Sequence, residues 1–410
     1  MNTLWLFFIL GGILTALIRA VAGDPGVLSQ CMQALTEAFS LTLQTSGVML
    51  GVMGFWLGLF RVAEVAGVMR WVAQGLTPLL RRLMPDIPDG HWVFGAISMN
   101  LAANFLGLDN AATPFGLKAM QGLQALNPQP ERVSRSQIMF LMLNCNALCW
   151  MPVSILAYRI QAGSLHPGLV YAPIVLSSTL GLLLAVSLTL LVQRIRPDAL
   201  LLSSGAILLL MVLFSLVAYH RSSIVLVASM TDLSRIGDAL VLVVMAGILF
   251  SGWWQSTEVY TPFIEGARQA PQLILDIFPY LLAMLCALAL FRASGLLNYL
   301  LDSVRMAVES VGGRTEWLPA LPAALMKPFS ASAARGWLID LMHQRGVDSF
   351  ASLVTAVVQG STETTFYVMT VYLGSVGIKK TAYALGLGLF SEFLGMGVAV
   401  VVSYAFFSVR

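Results

Sequence analysis

Polar side chains set inside apolar sequence are where chemistry could reside, and this chain carries four such clusters. The most concentrated is Gln359-Gly-Ser-Thr-Glu-Thr-Thr-Phe-Tyr367, flanked on both sides by apolar runs. An acid in such surroundings is costly unless it is paired or faces a water-lined cavity. If Gly360 permits a helix break there, Glu363 can present its carboxylate to a cation or a substrate hydroxyl. Gln359, Ser361, Thr362 and Thr364 would then fix orientation. The plainer reading is a structural network joining Glu363 to Lys327 or to the other half of the chain. A second acid, Glu392, lies in the apolar string Phe390-Ser-Glu-Phe393.

Three further clusters use amides, hydroxyls and prolines. Asn100 and Asn104 are four residues apart and share a helix face, ahead of Gly107-Leu-Asp-Asn-Ala-Ala-Thr-Pro114. A helix broken by Gly107 and Pro114 leaves free backbone groups beside Asp109, Asn110 and Thr113, suited to an ion or a substrate. A surface hairpin with capped helices is the alternative. In Asn144-Cys-Asn-Ala-Leu-Cys-Trp-Met-Pro152, the proline is expected to kink a helix and free carbonyls next to Asn144 and Asn146. Cys145 and Cys149 share a face, which helix packing through small residues explains better than a soft metal. Lys327-Pro-Phe-Ser-Ala-Ser-Ala-Ala-Arg-Gly336 sets Ser330 and Ser332 between two cations. Either these groups take a polar or anionic ligand, or Lys327 and Arg335 snorkel to an interface while the serines allow close packing.

The elements that position these clusters must lie in a membrane. Hydrophobic residues make up 58% of 410 positions and charged residues 10%, against about 25% charged in an ordinary soluble domain. The net charge of +3 is dispersed, which excludes a nucleic-acid surface. Four cysteines in or near apolar stretches do not form a disulfide framework, and no His/Cys cluster has zinc spacing. The apolar N-terminus has no basic residue ahead of it and no Ala-x-Ala site, so it reads as a retained helix. A bilayer-spanning helix takes about 20 apolar residues. Strong candidates are 3–22, 44–60, 137–158, 169–193, 203–220, 237–254, 272–291, 350–373 and 381–407, with weaker ones at 92–108 and 317–334. Residues 62–84 and 296–311 read as amphipathic helices that lie in the interface plane or pack across the bundle. The fold class is an all-α polytopic membrane protein with about nine to eleven membrane segments.

The two halves follow one order. Trp56-Leu-Gly-Leu-Phe-Arg61 and Leu288-Ala-Leu-Phe-Arg292 each end a long apolar run. An amphipathic helix follows each, then a short segment broken by small polar residues, a polar-centred helix and a last apolar run. Transporters often carry such repeats, with the site on discontinuous helices at the repeat interface.

The strings themselves resemble known families. Trp56-Leu-Gly-Leu, Met99-Asn-Leu-Ala-Ala-Asn104, Asn110-Ala-Ala-Thr-Pro-Phe-Gly-Leu-Lys-Ala-Met120 and Leu126-Asn-Pro128 resemble spore maturation protein A. Phe263-Ile-Glu-Gly-Ala-Arg268, Leu290-Phe-Arg-Ala-Ser-Gly295, Met326-Lys-Pro-Phe-Ser330, Gln359 to Tyr367 and Gly374-Ser-Val-Gly-Ile-Lys-Lys-Thr381 resemble spore maturation protein B. The resemblance implies an A-like gate domain at 1–197, a fusion linker with an extra membrane segment at 198–235, and a B-like gate domain at 236–410. It also implies two gate-like repeats with discontinuous or re-entrant helices, of the nucleoside-recognition kind. In related nucleoside transporters a Gly-Gln-Thr-Glu motif on a re-entrant hairpin contacts substrate; Gly360-Ser-Thr-Glu363 is similar, with Ser361 in place of the glutamine. Asp109 stands where the family has glycine, Cys145-Asn146-Ala147 where it has hydroxyl residues, and Lys327 where it has arginine.

These observations point to a transporter-like protein of a cell inner (cytoplasmic) membrane, multi-pass, moving a small polar solute or ion by alternating access. Nucleoside-like solutes, small carboxylates and cations are the substrate classes. No enzyme motif is present, and no cofactor is expected beyond a coupling cation such as sodium or a proton. The expected partners are the lipid bilayer, the solute and a second copy of the chain, with no nucleic acid. The competing class is a non-transporting scaffold for spore or envelope maturation. Convergence of polar side chains from both halves on one cavity favours transport.

Overall fold

The computed structural model describes residues 2–105, 109–195, 230–255, 258–310 and 312–407, with Leu202 and Gly205. The expected segment at 203–220, and most of the 198–235 linker, lie outside the described residues. Among the described residues the protein is helical, with a single isolated bridge between Arg132 and Lys380. Helices α1 (Asn2–Val21), α2 (Gly26–Val65), α3 (Val68–Leu83), α4 (Val93–Phe105), α5 (Asp109–Ala125), α6 (Arg135–Cys145), α7 (Val153–Gln161) and α8 (Tyr171–Gln193) precede the linker. After it come α9 (Met230–Trp254), α10 (Tyr260–Ala267), α11 (Ala270–Ala293), α12 (Leu296–Ser310), α13 (Leu321–Met326), α14 (Ala331–Arg345), α15 (Phe350–Ser361), α16 (Thr365–Ser375) and α17 (Ala384–Phe407).

Among the described residues, four stretches are long and apolar enough to cross a bilayer: Gly26–Val65, Pro167–Gln193, Tyr260–Ala293 and Ala384–Phe407. Exposed Leu10, Leu14, Phe390, Phe393 and Val401 give the outside the apolar surface that lipid requires. Two of the strong candidate spans are not single helices, and neither is the weaker one at 317–334. The 137–158 stretch is α6 and α7 with a break between them, and 350–373 is α15 and α16 with Thr362–Thr364 unwound. Pro152 therefore sits before a new helix instead of kinking one. Gly360 does not break its helix, which runs on to Ser361. A Cβ on Gly360 would lie 2.7 Å from Ile174 and 2.9 Å from Ile155, so this glycine permits close packing. Pro114 likewise lies inside α5.

Hydrogen bonds at the two faces orient the broken helices. The start of α6 is tied to the end of α8, because Gln193 Nε2 donates to Arg135 O at 2.9 Å and the Arg135 guanidinium donates to Gln193 O. Lys380, just before α17, accepts from Val133 N at 3.3 Å at the same face. The start of α15 is held at the other end of α8. There Arg159, at the end of α7, donates to Asp348 at 2.6 Å and to the carbonyls of Pro167, His166 and Val347. Helix α8, at about 1.5 Å per residue, separates these faces by roughly 35 Å, close to the hydrocarbon thickness of about 30 Å. So α6 and α15 enter from opposite faces, as do α8 and α17.

The α8–α17 crossing depends on small residues. Ser177, Gly181, Ala185 and Thr189 line one helix at every fourth position, and Ser391, Gly395, Ala399 and Ser403 repeat that spacing on the other. Gly181 and Gly395 meet at the crossing. Thr189 and Ser403 turn their hydroxyls back onto Ala185 O (2.6 Å) and Ala399 O (2.7 Å), which keeps these two groups satisfied within their own helices. A second close approach joins α2 to α10, where a Cβ on Gly266 would lie 2.2 Å from the backbone oxygen of Leu57. Backbone cannot yield as a side-chain tip can. Gly266→Ala should therefore cost about 1–3 kcal/mol by overpacking and lower the unfolding temperature in detergent. Gly51→Ala, in the same α2 with open space around it, should leave that temperature unchanged or raise it.

Candidate functional site

The two helix breaks touch. Glu363 N, in the α15–α16 break, donates to Cys145 O at the end of α6, 2.8 Å away. Each break also borrows a side chain from the long helix behind it. Cys149 N donates to Ser178 Oγ on α8 at 3.3 Å, and Thr365 N donates to Glu392 Oε2 on α17 at 3.3 Å. Ser178 and Glu392 hold corresponding places, each three residues before the crossing glycine. A carboxylate at the first turn of α16 also meets the positive end of that helix.

Hairpins from each face reach the breaks. Helices α4 and α5 pack against each other, with Trp92 beside Gly122 at the Arg135 face. Near the far end of α4, Asn104 Nδ2 donates to Asn144 Oδ1 at 3.0 Å. From the other face, α13 and α14 form a bend at Lys327–Ser330, where Phe366 N donates to Pro328 O at 3.1 Å. Lys327 is only 2% exposed, and its ammonium donates to Gln359 O. It does not snorkel.

A cavity of about 300 Å³ opens at this junction, the low end of the range for small-molecule sites. Asn104 and Cys149 from the first half line it together with Lys327, Gln359 and Glu363 from the second. Trp56, Phe60, Met151 and Tyr158 supply apolar wall, and Arg61, Glu64 and Arg335 add charge. Arg61 is itself paired, to Glu64 at 2.9 Å and Glu265 at 3.3 Å. Glu363 is exposed although Ser361, Thr362, Thr364 and Thr365 around it are all buried. The carboxylate is the one side chain of that run turned to the cavity.

Behind the wall lies a dry network. Asn100 Nδ2 donates to Ala112 O (2.8 Å) and to Tyr372 Oη (3.2 Å), and Tyr372 Oη donates to Asn144 Oδ1 (3.4 Å). It joins α4, α5 and α6 to α16, across the two halves. A Cβ on Gly116 would lie 2.4 Å from Tyr372 Oη, so only glycine leaves room for this bridge.

Of the residues the sequence singled out, Asn104, Gln359 and Glu363 line the cavity. Asn100 and Asn144 belong to the network that holds Asn104. Asn146, Thr362 and Glu392 gather behind the breaks. Ser330 is the N-cap of α14, accepting from Ala333 N at 3.1 Å, and Ser361 donates to Val358 O at 2.9 Å; both are committed to the backbone. Thr364 is buried at the start of α16, and Thr113 and Ser332 are half-buried away from the cavity lining. Asp109 and Asn110 open α5, and their side chains lie outside the described residues. Sequence reasoning passed over Tyr158, Tyr372 and the aromatic wall at Trp56 and Phe60. One signal was available: Tyr158 and Tyr372 stand as far apart in the chain as Ser177 and Ser391, or Gly181 and Gly395.

Residues 46–161 match the family described as Gate, nucleoside recognition. The chain is 38% identical over 164 residues to spore maturation protein B of Bacillus subtilis, covering 40% of this chain and 90% of that protein. It is 34% identical over 179 residues to spore maturation protein A of the same organism, covering 43% of this chain and 87% of that one. No solved structure matches.

The two cysteines of the first break report on water access. Cys149 is half-buried and lines the cavity, whereas Cys145 is fully buried. A small water-soluble maleimide should modify Cys149 and spare Cys145, read by peptide mass spectrometry on the folded protein in detergent. Modification of neither would mean that water does not reach this cavity.

Proposed function

Since the chain belongs to the family of spore maturation proteins A and B, joined here in one polypeptide, we propose that it is a transporter that moves a small polar solute or ion by alternating access. The observation that carries this reading is Glu363, an exposed carboxylate in a cavity built by both halves where four chain interruptions meet. Discontinuous helices are the usual way membrane transporters present backbone groups and dipole ends to a solute. Helices α6–α7 and α15–α16 run in opposite senses, so rocking one half against the other would open the junction to either face in turn.

Solute chemistry follows from the lining. Lys327 offers a cation, Glu363 an anion, and Gln359 and Asn104 offer amides, against aromatic walls. That set suits a solute with both apolar surface and several polar groups, such as a nucleoside-like compound or a small carboxylate. The matched family's description, nucleoside recognition, supports the first of these. A cytoplasmic membrane location is part of the proposal. The competing scaffold reading draws on the buried Arg159, whose bonds to Val347 and Asp348 clamp the two halves together.

Reconstituted vesicles decide between them. Uptake of labelled nucleosides, small carboxylates and alkali cations should show flux for one class, and Glu363→Gln should cut that flux by on the order of tenfold or more. Flux unchanged by the substitution would remove Glu363 from its role. Folded wild-type protein that carries none of these classes would favour the scaffold.

A further inference from the structure

A second polar cluster lies behind the cavity wall, and nothing in the proposed solute path uses it. Asn146 is the residue on which α6 ends, and Thr362 is the residue on which α15 ends. Both pack on the face of α17 that carries Ser391, Glu392 and Gly395. Asn146 Nδ2 donates to Ser391 Oγ at 2.9 Å. A Cβ on Gly395 would lie 2.8 Å from Thr362 Cγ2 and 3.8 Å from Asn146 Oδ1, so both side chains close over that glycine. Glu392 is one helical turn away and reaches Thr365 N through Oε2.

This cluster is buried and rich in acceptors. Glu392 and Asn146 are 0% exposed and Thr362 is 3% exposed. Glu392 Oε1, Asn146 Oδ1 and Thr362 Oγ1 each have no hydrogen-bond partner. A buried acceptor without a partner costs about 1–3 kcal/mol, and more when it is charged. Asn146 and Thr362 meet at Gly395, and Glu392 stands three residues before that glycine on the same helix; three such groups in one region are not explained by packing. Two helix C-termini, those of α6 and α15, aim their negative ends at the same place. Lys327 interacts electrostatically with both acids, more strongly with Glu363 than with Glu392.

We infer that Glu392, Asn146 and Thr362 form a binding site for a dehydrated alkali-metal cation, separate from the solute cavity and joined to it through the helix breaks. One carboxylate balances one positive charge, and the remaining ligands are neutral oxygens, the donor type that hard cations take. A proton on Glu392 could satisfy one of the three oxygens; a cation satisfies all three at once. Ion binding would hold the ends of α6 and α15 against α17 and so set the position of Glu363, one residue beyond Thr362. That coupling role rests on the transport reading; the binding itself does not.

Thermal unfolding of the detergent-purified protein tests the site directly. At fixed pH and ionic strength, replacing choline chloride by NaCl or KCl should raise the unfolding temperature along a saturation curve, as mass action requires for a ligand of the native state. Glu392→Gln and Thr362→Val should abolish the rise, and Glu363→Gln should keep it. If Glu392→Gln does not fold, Thr362→Val carries the test, since it removes one oxygen and keeps the shape. No alkali-specific rise in the wild type would overturn the inference, as would a full rise in Thr362→Val. Stabilisation by lower pH in place of either salt would make Glu392 a proton site and overturn it too. A cation response in protein that moves no solute would leave the site standing and remove the transport reading.

Discussion

Two polypeptide strands that lose their helices in the middle of an apolar protein must find new partners for their backbone groups. In hydrocarbon each unsatisfied group costs on the order of several kcal/mol. Here much of the answer is reciprocal. The first break supplies the carbonyl of Cys145 and the second the amide of Glu363, while Ser178 and Glu392 reach in from the long helices behind. Neither half could carry its own break alone. The same requirement draws both hairpins inward, because Asn104 and Pro328 also find their partners at the junction.

That arrangement separates two acids that look alike in sequence. Glu363 lies on the unwound strand, where side chains alternate, and it alone turns into the cavity. Glu392 lies on a continuous helix, fully buried, and accepts from Thr365 N. Lys327 is held close to both by the bend at Pro328 and is pinned through Gln359 O. A charge that would be intolerable on an isolated helix becomes acceptable when the opposing charge and freed backbone are already present.

The outer contacts differ between faces. At the Asp348 face, a fully buried guanidinium gathers loops from both halves with several hydrogen bonds. At the Arg135 face, the corresponding loops share a single bridge and an exposed pair, Lys380 with Glu131 at 3.6 Å. An exposed pair of that kind contributes little, about 0–1 kcal/mol. The conformation described here is therefore held more firmly at one face than at the other.

Much of this was legible in the residues. Apolar runs located the long helices, and the polar strings at Asn144–Pro152 and Gln359–Tyr367 marked where helices would fail, because such groups have no other reason to be in a membrane. Helix interruption was assigned to the wrong residues, however. Pro114 and Gly360 remain inside helices, since a proline in the first turns loses only one backbone bond and a glycine can be kept for close packing. Composition and local pattern thus determined the class and the candidate acids. Tertiary structure alone decided which acid faces water, that Lys327 stays buried, and that Ser330 and Ser361 serve the backbone. Those outcomes depend on which atoms of the other half arrive within about 3 Å, and that distance is set by how the two halves of the chain pack together, well beyond the reach of sequence spacing.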